Sequence, residues 1–373
     1  MNQHRWTSTG FRKVRPARLA GFVIILACAV VAARSQITDA ASLPDESAVL
    51  FHAAMSEQQN QQLAAAEKDY RRVLERSPEF LPARFDLGLV LDGEGSFQNA
   101  LDQFLIVDKE LATFPGSQFF TGIESFRLGK FSEAEQALHL ATQQSSNDSR
   151  CWFWLARTEF ALSHETEGKA ALDEALRIAP DDPSSLYFRA LAYMSDQDLA
   201  RSEAILIKLV EKYPQVPEFH QSLGTVYYME AELDKAQSEY KSQLAIDPHN
   251  PQALSMLGVI LLDRGQAPAA IPYLEQGLDA NPRISFLQRK MGQALSAADR
   301  PQDAIQHLKE AIALDPQDAT AHYLLWKVYS ELHQAQDAAT ELEAFRKLDA
   351  AQQNRIPASS LPAAMLPGNK TSP

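Results

Sequence analysis

Cysteine is scarce in this chain: 373 residues hold two, Cys28 and Cys151. Cys28 lies in an apolar N-terminal run. Once that run is removed the body has one thiol, which excludes an intramolecular disulfide. No CxxC occurs and no cysteine stands at ligand spacing from a histidine, so the common zinc frameworks are excluded and Cys151 reads as a small buried residue. Glycine is scarce too, at 15 residues. There is no GxSxG, no phosphate loop and no GxGxxG. The nine histidines are scattered, without an HExxH pair. These absences leave no candidate catalytic residue, no metal ligand set and no cofactor motif, and the chain reads as non-enzymatic. Positive charge is also short. The formal net charge is −13; five of the 35 basic residues lie among the first 33 positions, and the remaining 30 face 48 acidic ones. Binding to phosphate backbones requires clustered cations, so nucleic acid is excluded as a partner. An acidic body is equally unsuited to an anionic membrane surface. Length alone suggests two or three domains.

What is present begins at the N-terminus. Arg5, Arg12, Lys13, Arg15 and Arg18 precede fifteen uncharged residues, Leu19 to Ala33. A basic stretch, an apolar stretch and small residues at its end read as a secretory signal over 1–33. Cleavage fits after Ala27-Cys28-Ala29 or Val31-Ala32-Ala33. The run also fits a retained membrane anchor, although a span usually needs about 20 apolar residues. "ILAC" loosely resembles a lipidation box, but the sequence stays apolar past Cys28. Each reading exports the body to the periplasm or the cell exterior, with membrane contact only through residues 19–33.

The body repeats itself. In rows of 34 residues from Ser47, nine rows fit without insertion to Gln352. Column 20 is small in every row: Ala66, Ala100, Ala134, Gly168, Ser202, Ala236, Ala270, Ala304 and Ala338. Column 24 is large and apolar in every row, from Tyr70 and Phe104 to Leu342. Column 8 is glycine or alanine except at Trp326, and column 32 is proline in six rows. Columns 4, 7, 8 and 11 share one face of a first helix, and columns 20, 24 and 27 one face of a second. Proline at column 32 ends the second helix. A small residue at 8 against a small residue at 20 lets the two backbones approach. One helix pair buries too little alone, so the pairs must stack into a solenoid. Pro272 falls inside a second helix and removes one hydrogen bond there. Asp181-Asp182 reads as a cap for the next first helix, and Glu165 and Glu167 as turn residues.

The spacing of small, large and proline positions resembles the tetratricopeptide repeat, whose period is 34 residues. The resemblance covers about four-fifths of the chain, residues 47–352, leaving a linker at 34–46 and a proline-rich tail at 353–373 that reads as disordered. It implies an all-α fold: an α-solenoid of nine helix-turn-helix repeats in a right-handed superhelix, with first helices lining a concave groove. Columns 2, 5, 9, 12 and 13 would then face that groove. Column 5 reads Phe51, Phe85, Phe119, Phe153 and Tyr187, five aromatics in succession. Rows three to five add Phe120, Phe126, Trp154, Phe160 and Phe188. Row three also puts polar Gln118, Thr121 and Ser125 where stacking wants apolar residues. These ten aromatics are the candidate contact residues for a protein or peptide partner; packing between first helices is the competing reading. The tail or linker could also occupy the groove. Arg289, Lys290 and Lys327 read as a solvated basic face. Family members that clamp a peptide's terminal carboxylate carry Asn at column 9; none stands there here, so that activity is not carried over. The chain reads as an exported interaction scaffold, or alternatively as a membrane-anchored envelope assembly or tethering factor.

Overall fold

The computed structural model describes residues 43–355, which contain eighteen α-helices and no strand. In row order they are α1 (Asp45–Gln59) and α2 (Leu63–Arg76), α3 (Leu81–Gly93) and α4 (Phe97–Glu110), α5 (Ser117–Arg127) and α6 (Phe131–Gln144), α7 (Ser149–Leu162) and α8 (Glu165–Ile178), and α9 (Pro183–Ser195). There follow α10 (Leu199–Lys212), α11 (Pro217–Met229) and α12 (Leu233–Ile246), α13 (Pro251–Asp263) and α14 (Ala267–Ala280), α15 (Ser285–Ala297) and α16 (Pro301–Leu314), and α17 (Ala319–Glu331) and α18 (Ala335–Arg355). The chain divides into two compact units at Asp198/Leu199, between the two helices of the fifth row. Within each unit every helix packs on the next in chain order, and first helices of successive rows meet, as α5 and α7 do. This is an all-α repeat fold. The signal or anchor reading of 1–33, residues 34–42 of the linker and the tail from 356 onward lie outside the described residues; 45–46 and 353–355 belong to α1 and α18. Among those described, no helix is long and apolar enough to cross a membrane.

The columns explain the packing. Columns 20 and 24 are buried in the first eight rows; Tyr70, Phe104, Leu138, Leu172, Tyr240, Leu274 and Leu308 have no exposed surface. A β-carbon added at Gly122 would lie 2.4 Å from Leu138 Cγ, one at Gly258 2.7 Å from Leu274 Cγ, and one at Gly292 2.6 Å from Leu308 Cγ. Glycine at column 8 therefore makes room chiefly for the large residue at column 24. The small residue at column 20 is a near neighbour as well: the same added atom at Gly292 would meet the Ala304 carbonyl oxygen at 3.2 Å. In the last row Ala338 is still buried but Leu342 is half-exposed, as expected of a terminal repeat that lacks a following neighbour among the described residues.

Helix starts follow the sequence. Asp182 accepts from the Ser185 amide at 2.7 Å and Asn250 from the Ala253 amide at 3.0 Å, while Pro183, Pro217 and Pro251 occupy first positions where no amide is needed. Glu165 and Glu167 sit in the first turn of α8 rather than in a loop, where a negative charge meets the positive end of the helix dipole. Helix α14 runs through Pro272.

Two regularities lie outside the expected columns. Column 15 has a left-handed backbone in all nine rows: Gln61, Gly95, Gly129, Ser163, Gln197, Ala231, Gly265, Asp299 and His333 all have φ between 57° and 78°. It is the turn residue between first and second helices. In four rows column 4 is a donor to the preceding row. Arg84, Trp152, His220 and Gln288 hydrogen-bond to the carbonyls of Pro78, Ser146, Pro214 and Pro282, all in column 32. These bonds satisfy a carbonyl that has no helical partner beyond the end of a second helix. A polar residue at column 4 is thus part of the repeat, and Gln118 does not mark row three as aberrant.

Candidate functional site

Row three is unusual for another reason: α5 is buried on every side. Nine consecutive residues, Ser117 to Ser125, are enclosed. Its polar residues find partners inside. Thr121 Oγ1 donates to Asp108 Oδ2 at 2.6 Å, and Glu124 bonds Arg127 Nη1 at 2.8 Å, with Arg127 also paired to Asp92. Burial first, and then the Asp92 charge, pushes the Glu124 carboxyl up to about 8. At neutral pH it keeps its proton, beside the charge of Asp92.

The aromatic ladder divides in two. Phe51 and Phe85 are each 1% exposed. Phe51 packs edge-on to Phe80 at 5.1 Å, and Phe85 lies 5.2–5.6 Å from Phe104, Phe114 and Phe120. Phe119 and Phe120 are also buried and touch each other at 5.3 Å. Phe160 fills the space over Gly168, its ring 2.9 Å from where a β-carbon would stand, and Tyr187 and Phe188 are buried as well. For these seven the structure places packing where the sequence suggested surface. A phenylalanine at column 5 reaches sideways into the junction of its own row with the next, and that junction needs filling along the whole unit.

Three candidates stay half-buried: Phe126, Phe153 and Trp154. They converge on a residue that sequence reasoning passed over. The guanidinium of Arg157 lies 4.2 Å from the Trp154 ring centre, 4.9 Å from Phe126, 5.5 Å from Phe188 and 5.7 Å from Phe153. No carboxylate among the described residues pairs with it. Burial, and secondarily the nearby Arg127 charge, lowers its pKa to about 10, so it stays charged at neutral pH. Four ring faces hold the cation in place by their quadrupoles. The signal was available: Arg157 stands three and four positions after Trp154 and Phe153, one turn along the same helix face.

The cations of the second unit are spoken for. Arg289 bonds Asp318 at 2.7 Å and Lys290 bonds Asp263 at 2.8 Å, and both are buried. The expected solvated basic face is, at these two positions, a pair of internal ion bridges, Lys290 to the preceding row and Arg289 to the end of its own; the acidic partners lie 27 and 29 residues away in sequence, which hides the pairing from a local reading. Lys327 is exposed beside Glu331. Cys151 is buried, and burial pushes its thiol up to about 12, so it stays protonated and unreactive.

Comparison with known proteins agrees with the architecture. Family models described as tetratricopeptide repeat match residues 51–112, 122–183 and 166–217, and 227–288, and one described as TPR repeat matches 292–332. The chain belongs to the tetratricopeptide repeat proteins. Among curated relatives, the peroxisomal targeting signal receptor of Saccharomyces cerevisiae is 23% identical over 58% of this chain and 38% of the receptor, and the BBSome complex member bbs-4 of Caenorhabditis elegans is 24% identical over 64% and 53%. The chain thus spans about half or less of the length of these relatives. Among solved structures, the APC/C hetero-tetramer Cut9–Hcn1 aligns with a TM-score of 0.56 and 18% identity over 79% of this chain and 58% of that one. A tetratricopeptide repeat protein from Parabacteroides merdae aligns at 0.54 and 12%, over 68% of this chain and all of that one. At such identities the likeness is one of fold.

Proposed function

We propose that this chain is an exported, non-enzymatic scaffold that holds a segment of a partner protein against Arg157 and the half-buried rings of Phe126, Phe153 and Trp154. The observation that carries the reading is a caged guanidinium with no carboxylate of its own. Five N–H donors in a fixed fork suit a carboxylate bidentately. An arriving carboxylate would offset the cost of having desolvated the cation, and an apolar neighbour on the same segment would cover the rings. The partner is therefore an extended segment with a carboxylate next to an apolar side chain. The yeast relative is a receptor for a targeting signal, in keeping with an array that recognises a stretch of protein. The basic-then-apolar N-terminus supports export. If the fifteen-residue run is retained instead of cleaved, the same array serves as a membrane-held tether, and fractionation with and without signal-peptidase inhibition separates the two.

The test is capture of partners by the wild-type chain and by Arg157→Met and Trp154→Ala, with helix content checked by circular dichroism. Arg157→Met keeps the apolar stem and removes the charge. A drop of tenfold or more in retained partner, with the remaining binding no longer salt-sensitive, is expected. Unchanged partners and unchanged salt dependence in both folded variants would remove Arg157 and its rings from the function. Tyr187 is buried, so a photoreactive residue for crosslinking belongs at position 154.

A further inference from the structure

Away from Arg157, rows three and four bring together a second cluster. Glu135 and His139 stand one turn apart on α6, on the same face. Glu159 projects from α7 and is only 2% exposed, while His139 is 54% exposed. One carboxylate oxygen from each glutamate and one imidazole nitrogen of His139 all lie within 4.8 Å of one another. His139 Nε2 is 3.4 Å from Glu159 Oε1. His164, in the turn between α7 and α8, bonds the other oxygen, with Nδ1 2.9 Å from Glu159 Oε2 and 3.5 Å from Glu135 Oε1.

We propose that Glu135, His139 and Glu159 bind a divalent transition-metal ion of the zinc class, fastening α6 to α7, with His164 positioning Glu159. Three observations converge. First, Glu159 is a buried carboxylate that no described lysine or arginine neutralises; imidazoles are its charge partners, and a buried charge requires a counter-charge or a metal. Second, a tetrahedral ion bound at about 2.0–2.1 Å separates neighbouring donors by roughly 3.3–3.4 Å, and the His139–Glu159 edge already has that length. The exposed His139 and the half-buried Glu135 have room to close the wider spacings by side-chain rotation. Third, a mixed imidazole and carboxylate set suits zinc, cobalt, iron or nickel over calcium or magnesium. The hydrogen bond from His164 Nδ1–H fixes which Glu159 oxygen faces the ion, the usual task of a group behind a metal ligand. The fourth coordination position stays open to water. Sequence spacing gave no hint of the set, because its ligands come from two helices and neither contributes an HExxH pair.

The test uses the full chain, stripped with a chelator and dialysed, then titrated with Co²⁺ alone while visible absorbance is read, and with Zn²⁺ alone against a chromogenic chelator. One equivalent is expected to saturate, with the strong visible bands of four-coordinate Co²⁺. His139→Ala, at an exposed position that leaves the stack intact, is expected to weaken binding at least tenfold and to remove the bands. His164→Ala is expected to weaken it by about 10–100-fold while leaving the bands. Glu159→Gln tests the buried ligand, with helix content read in parallel. Absence of a saturable site below millimolar ion, or wild-type affinity and bands in His139→Ala and Glu135→Gln, would overturn the proposal and leave the cluster a set of imidazole–carboxylate ion pairs.

Discussion

At the scale of single residues, the enclosed carboxyl of Glu124 sets a pH response. Its native pKa is about 8 against a usual value of 4.5. Between those two values the folded chain holds a proton that the unfolded chain has lost. The proton's contribution to stability is full below about 4.5, declines as pH rises, and is gone above about 8. Glu124→Gln keeps the shape and an N–H donor toward Asp92 without the titration. It should match wild type near pH 5 and exceed it at pH 9 by on the order of 2 kcal/mol. Urea midpoints measured at the two pH values check this; parallel pH profiles for variant and wild type would show that Glu124 does not carry the response. His220 acts in the same direction, its contribution also declining as pH rises through a raised pKa. Both ring nitrogens have acceptors, Glu239 and the Pro214 carbonyl, and the Glu239 bond raises its pKa.

At the scale of the hairpin, two positions separate space from conformation. Gly122 has no room: its substitution by alanine drives a β-carbon into the stem of Leu138. Overpacking of this kind costs about 1–3 kcal/mol, and the helix propensity gained by leaving glycine returns at most about 1. Gly122→Ala should lower the unfolding free energy read from urea denaturation by a net of about 1–2 kcal/mol, with hydrogen-exchange protection lost first in α5 and α6. Ala231 is the reverse case, a residue with a side chain at φ 62°. A left-handed backbone costs an ordinary residue about 1–2 kcal/mol, so Ala231→Gly should raise stability by roughly 1 kcal/mol. A lowered or unchanged midpoint for that variant would mean that the turn is held by something other than local sterics. Much of this scale was legible in the sequence. Small at 20, large at 24 and proline at 32 are required by packing, so they recur and can be counted. Column 15 was not legible, because its requirement is on the backbone and six of nine rows meet it with Gln, Ser, Ala, Asp or His. Column 4 was misleading for a similar reason: in four rows it donates a hydrogen bond, and arginine, tryptophan, histidine and glutamine all do so.

At the scale of the whole molecule, the sequence revealed the fold more readily than the site. The fold is built from local, repeated demands that a register exposes. The candidate site depends on which aromatics the stack consumes and which it leaves over. Phe119 and Phe153 occupy the same column, yet one is enclosed and the other half-exposed; the difference lies in neighbours that the column does not name. Arg157 was visible only as one letter in a varied column, and its importance comes from four rings contributed by three helices. The left-handed turn position also has a consequence for the molecule entire. Six rows forgo the residue that would relax it, and their turn positions are separated by at least 34 residues along the chain. Substitutions at well-separated sites combine nearly additively. The array therefore contains a distributed reserve of unclaimed thermostability, which could be drawn on row by row; outside row four, where Ser163 adjoins His164, this leaves Arg157, its rings and the Glu159 cluster untouched.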